Sequence, residues 1–122
     1  MSLTANRLLE EETLGNVTRA RLNITSLTES DIELVRSRLF DLVENRKESD
    51  LCVDLGCLEY LTSSGLGLFL ALHKRVRATG GRLRLHNVSD FLYELFTVTH
   101  LTTILHVSQQ GPEEEALVAT SA

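Results

Sequence analysis

The chain has 122 residues, 43% of them hydrophobic and 24% charged, with a formal net charge of −5, which suits one domain around one core. The acid excess and the absence of Trp argue against nucleic acid as the main partner, because phosphate backbones need clustered Lys and Arg and bases need aromatic platforms. No apolar run approaches the ~20 residues of a membrane span, and the acidic start, Met1 to Glu12, has no apolar core of a signal peptide, so a cytoplasmic protein with no membrane insertion is expected.

Arg7 to Leu14 followed by the turn signal Gly15-Asn16 predicts the first arm of a hairpin. The second arm, Val17 to Ile24, alternates, with Thr18, Ala20, Leu22 and Ile24 on one face. Thr28 with Asp31 three residues on marks a helix start. Ile32, Val35, Leu39, Leu42 and Val43 then recur at helical spacing to about Arg46. Leu51 to Leu55 is a short apolar run between Asp50 and Gly56, the pattern of a central strand buried on both sides. A helix follows from about Ser64 to Thr79, ended by Gly80-Gly81. Arg82 to His86 alternates as a strand. Asn87-Val88-Ser89 starts a short helix with Phe91, Leu92, Leu95 and Phe96 on its apolar face. Thr102 to Val107 is read as the last strand. Gly111-Pro112 and the acids Glu113 to Glu115 open a final short helix, about 112–119. Strands alternating with helices predict an α/β fold: one domain over 1–122, core about 17–107, with a four- to five-stranded mixed sheet and helices mainly on one face.

Between the central strand and the long helix lies the segment Leu58-Glu59-Tyr60-Leu61-Thr62-Ser63-Ser64-Gly65-Leu66-Gly67. Three hydroxyls stand where a strand hands over to a helix. A helix start has unpaired N–H groups and partial positive charge, so a hydroxyl there either caps the helix or carries a phosphate. Other chemistry is poorly supported. Gly65-Leu66-Gly67 lacks the third glycine of a dinucleotide loop and the lysine of a phosphate loop, so no cofactor is expected. Thr-Ser-Ser-Gly is not the Gly-x-Ser-x-Gly of a hydrolase elbow, so no catalytic residue is assigned and a non-enzyme is expected. His73, His86, His100 and His106 show no metal-ligand spacing and are expected at the surface or strand edges. Cys52 and Cys57 read as buried thiols. Arg75, Arg77, Arg82 and Arg84 form a modest basic zone, a partner contact or ordinary surface.

Three blocks carry a family resemblance: Val53-Asp54-Leu55 with Leu58 and Leu61 to Gly67; Gly80 to Ser89; and Leu95 to Leu101 running into Ile104-Leu105. Their order and spacing, across about Val17 to Val107, resemble the STAS domain of bacterial anti-sigma-factor antagonists. The resemblance implies transcription regulation by partner switching. The antagonist binds an anti-sigma factor that is also a serine kinase, the kinase phosphorylates a serine at this helix start, and a serine phosphatase removes the phosphate. By motif the phospho-acceptor falls on Ser63, with Thr62 and Ser64 as further candidates, and the partner surface on Thr62, Ser63, Ser64, Gly65 and Leu66. Family members usually carry Asp at the position of Thr62 and a Gly-x-Leu-Asp-like stretch where this chain reads Asn23 to Thr28. The alternative the resemblance allows is a STAS scaffold or transporter-associated subunit that works without phosphorylation.

Overall fold

A computed structural model of the protein describes residues 8–45 and 49–112. In chain order the elements are β1 (Leu9–Leu14), β2 (Val17–Leu22), β3 (Ser26–Leu27), α1 (Glu29–Asn45), β4 (Asp50–Asp54), β5 (Tyr60–Leu61), α2 (Ser63–Ala78), β6 (Leu83–His86), α3 (Asp90–Val98), a 3-10 turn (Leu101–Thr103) and β7 (His106–Val107). The main sheet has the order β1-β2-β4-β6-β7. Its first pair is antiparallel around Gly15, whose φ of 60° fits the tight turn. The remaining pairs are parallel, which makes the sheet mixed, as expected.

Alternation decides what each strand buries. Ala20, Leu22, Val53, Leu83 and Leu85 face a core that includes Val35, Leu39, Leu42 and Val43 of α1, Leu68, Phe69, Leu72 and Val76 of α2, and Leu92 and Phe96 of α3. The helices therefore cover this face. The opposite face is charged: Arg19 pairs with Glu12 at 3.9 Å, and Arg21 with Asp54 at 4.0 Å. β4 lies at the centre, and its Leu51, Cys52 and Val53 are all buried, which accounts for the uninterrupted apolar run there. Cys57, read from sequence as a buried thiol, is only half-buried, whereas Cys52 is buried as expected.

Two glycines hold α2 against its surroundings. A Cβ on Gly81 would lie 2.0 Å from the Ser49 carbonyl oxygen, and one on Gly65 would lie 3.1 Å from Leu61 Cβ. Both ends of the helix are thus set at contact distances that a larger residue would disturb.

The structure departs from the sequence reading in four further places. The last strand shrinks to two residues, because Leu101–Thr103 winds into a 3-10 turn after His100, which sits at φ 62°. The Leu105 N–H bonds to the Leu101 carbonyl at 2.7 Å, so helical rather than ladder bonds satisfy that stretch. β3 and β5 form a separate two-stranded parallel ribbon that the sequence did not suggest. His86 is buried rather than at the surface, with Nδ1 3.2 Å from the Gln110 carbonyl oxygen. The long helix begins at Ser63 rather than Ser64. The final helix expected at about 112–119 lies, beyond Pro112, outside the described residues.

Candidate functional site

The hydroxyl cluster is positioned by the small ribbon. β4 ends at Asp54, whose Oδ1 accepts from the Gly56 N–H at 2.8 Å. The chain turns there, with Leu58 N–H donating to the Leu55 carbonyl, and the buried Leu55 and Leu58 anchor the turn in the core. It then runs as β5 beside β3, Ser26 opposite Tyr60 and Leu27 opposite Leu61. Leu27 and Leu61 are both buried, so the ribbon is pinned from below. One residue beyond the pairing, each strand becomes a helix: Thr28 precedes α1 and Thr62 precedes α2. The Thr62 N–H donates to the Leu27 carbonyl at 3.2 Å. Two helix N-termini consequently start side by side at one corner of the molecule.

The side chains at this corner do not cap α2. Thr62 is the N-cap by backbone conformation, φ −90° and ψ 174°, yet its side chain makes no cap bond. Its hydroxyl instead donates to Glu29 Oε2, 3.0 Å away on the first turn of α1. Ser89, by contrast, caps α3 by accepting from the Leu92 N–H at 3.2 Å. Across the corner, the Thr28 hydroxyl faces Asp31 Oδ2 at 3.4 Å. Glu29 and Asp31 are both in the first turn of α1, whereas α2 has no acid in its own first turn. The carboxylate nearest the hydroxyl cluster is thus supplied by the other helix. That placement complements the partial positive charge of both helix starts.

The candidate residues share this corner in different roles. Ser63 and Ser64 are exposed in the first turn, Thr62 and Leu66 are half-buried, and Gly65 is buried. Gly65 therefore lets the first turn approach Leu61 and Leu27 and does not itself form surface. A Cβ on Gly67 would meet nothing within 4 Å. Tyr60, 50% exposed, stands beside the cluster as a large ring with little cover. Glu29 and Tyr60 were not singled out from sequence. Glu29 stands 33 residues from Thr62, and the signal that links them is the repeated pattern of a two-residue strand followed by Thr and a helix.

The other sequence candidates lie elsewhere. Arg75 leaves the expected basic zone to pair with Glu44. Arg77, Arg82 and Arg84 stay together at the opposite end of α2, where His73 and His106 join them. Among the described residues no group of His, Cys, Asp and Glu could hold a metal ion, and no helix is long and apolar enough to cross a membrane.

With this geometry in view, the family can be identified. The family model described as "Mlab, STAS domain" matches residues 13–107. The anti-sigma-B factor antagonist of Bacillus subtilis (strain 168) is 37% identical over 78 residues, 64% of this chain and 70% of that protein. An anti-sigma-factor antagonist (STAS) domain protein from Planctomyces limnophilus superposes with a TM-score of 0.78 at 22% identity, over 93% of this chain and 98% of that one. The Bacillus cell fate determinant SpoIIAA, in its phosphorylated form, superposes with a TM-score of 0.64 at 22% identity, over 92% of this chain and 98% of its own. The ribbon, the mixed sheet and the helices on one face are accordingly those of a known fold, and the chain belongs to the STAS domain family.

Proposed function

We propose that the protein is an anti-sigma-factor antagonist that binds an anti-sigma factor serine kinase through the corner where α1 and α2 begin, and that phosphate on Ser63 switches this binding off. The protein acts in the cytoplasm by binding, not by catalysis, and a serine phosphatase resets it. The observation that carries the reading is the exposed Ser63 at the first residue of α2, beside a helix N-cap whose own hydroxyl is engaged by Glu29. The relation to an anti-sigma-B factor antagonist supports the choice of partner.

The switch follows from charge. A phosphate adds about −1.5 to −2 charges. The helix start offsets part of that, by roughly 0.3–1 kcal/mol, so the fold tolerates it. A partner surface matched to the unphosphorylated corner does not, because closing the interface would bury a dianion without a countercharge. Tyr60 and Leu66 then supply apolar contact, and Thr62, Ser63 and Ser64 the polar contact that the phosphate disrupts.

Incubation with the cognate kinase and ATP, followed by mass spectrometry, is expected to place one phosphate on Ser63. By titration calorimetry, Ser63→Ala should bind the kinase constitutively and Ser63→Asp at least tenfold more weakly. Absence of phosphate from Thr62, Ser63 and Ser64 would overturn the switch. Recovery of a transporter or a large scaffold in pull-downs would then favour the non-phosphorylated scaffold.

A further inference from the structure

The far end of α2 carries a second concavity. It is an open cleft of about 410 Å³ lined by His73 and Arg77 of α2, Arg82, Leu83, Arg84, Ile104 and His106. Its origin is the short last strand. β7 pairs with β6 only at Arg84 and Leu85, so the edge of β6 at Leu83 has no neighbouring strand on that side. Three arginines and two histidines therefore line one cleft in a chain whose formal net charge is −5.

The charges are only partly offset. Arg84 reaches Asp50 Oδ2 at 4.0 Å, and Asp50 Oδ1 accepts from the backbone N–H of Arg82 at 3.1 Å. Arg77 and Arg82 are exposed. The carbonyls that end α2 are taken up by the N–H groups of Thr79, Gly80 and Gly81, so the negative end of the helix dipole is covered by backbone donors. His73 Nδ1 is buried and has no hydrogen-bond partner among the described residues. Burial, then the nearby charges of Arg77 and Lys74, hold the His73 pKa below its usual 6.5. The positive charges at this end thus add to burial in disfavouring one more proton.

We propose that this cleft is a binding site for a small phosphate-bearing anion, held by Arg77, Arg82 and Arg84 with His73 at its inner wall. Planar guanidiniums match phosphate oxygens in a forked geometry, and three of them around one opening suit a dianion or a higher charge. The cleft has room for a phosphate or a small phosphate ester. Binding there relieves the field on His73, so its pKa rises when the site fills. The charges that act on His73 are those of Arg77 and Lys74 on the helix; Arg82, Arg84 and His106 line the same cleft, with Asp50 beyond Arg84. The proposal is independent of Ser63, which lies at the other end of α2.

The test is an NMR titration of the uniformly labelled full chain at low ionic strength, since salt screens exposed charges, with inorganic phosphate, pyrophosphate and glycerol 3-phosphate as separate ligands. Saturable shifts centred on His73, Leu83 and His106 are expected, together with an upward move of the His73 pKa. Arg77→Gln with Arg82→Gln should weaken binding at least tenfold. Arg75→Gln, on the same turn but paired with Glu44, should change it less than twofold. The tightest of the three ligands then says whether the physiological anion is free or esterified. Linear, unsaturable shifts, or equal weakening by Arg75→Gln and the double variant, would overturn the site, and both arginine variants can be checked for folding in the same spectra.

Discussion

The two ends of α2 differ in almost every respect that matters for recognition. Its start is built of hydroxyls, with the exposed Ser63 and Ser64 beside Thr62, and receives a carboxylate from Glu29 of the neighbouring helix. Its finish carries Arg75 and Arg77 in the last turn and meets Arg82, just before β6, and Arg84 within it. Both ends rest on a glycine that lets backbone come close, Gly65 at one and Gly81 at the other. The same helix thus presents a hydroxyl-lined corner beside a carboxylate, where we propose covalent phosphorylation, and a basic cleft, where we propose a phosphate ligand. The difference teaches that the helix dipole alone does not assign function. The negative end attracts cations and the positive end acids, but the side chains from adjacent elements decide what each end can bind.

The largest expected effect separates the glycines. Gly81→Ala places a methyl group against the Ser49 carbonyl, which backbone cannot readily vacate, and should cost about 2–3 kcal/mol in urea melts. Gly65→Ala meets side-chain atoms at 3.1 and 3.4 Å and should cost roughly 1 kcal/mol. Gly67→Ala, with nothing near its Cβ, should instead gain about 0.5–1 kcal/mol from helix propensity. If Gly65→Ala and Gly81→Ala cost the same, the end of α2 is no more tightly held than its start.

The next effect concerns capping. Ser89→Ala removes a side-chain cap and should lower stability by about 1 kcal/mol. Thr62→Val removes no cap, only the half-exposed bond to Glu29, and should cost about 0.5 kcal/mol. In a double-mutant cycle with Glu29→Gln, the Thr62 effect should largely disappear. A Thr62→Val cost equal to that of Ser89→Ala, unchanged by Glu29→Gln, would show the hydroxyl capping α2 in solution.

The smallest effect is electrostatic. His73 should titrate below 6.5 in an NMR pH series, because burial and the charges of Arg77 and Lys74 disfavour its protonated form. In the unfolded chain it protonates at its usual value. The stability present above pH 6.5 is therefore lost as the pH falls from there through the lowered folded value. Arg77→Gln should move the His73 pKa partway back up, and His73→Gln should remove its share of the acid sensitivity. A His73 pKa insensitive to Arg77→Gln would leave burial and Lys74 as its causes.

Much of this molecule was legible in its residues. The alternation of Thr18, Ala20 and Leu22, the helical spacing of Val35, Leu39, Leu42 and Val43, and the continuous apolar run Leu51 to Val53 each identify a buried face correctly. These signals are local: the periods of helix and strand are imprinted on neighbouring residues. Thr102 to Val107 misled because its apolar and hydroxyl residues suit a strand, while the left-handed His100 begins a 3-10 turn that uses the same residues. His86 misled because a histidine at the end of an alternating strand reads as an edge, whereas Gln110 closes over it.

From sequence alone came the order of the main-sheet strands and of the three α-helices between them, the apolar faces, and the hydroxyl cluster at a helix start, all properties of short windows of chain. Tertiary structure alone decided that β3 and β5 pair, and therefore that Glu29 reaches Thr62. It also decided that Arg75 departs to Glu44 while His73 and His106 join the remaining arginines. Those outcomes depend on which strands become neighbours across dozens of residues, and no local period encodes a contact between residues that only the closed fold brings together.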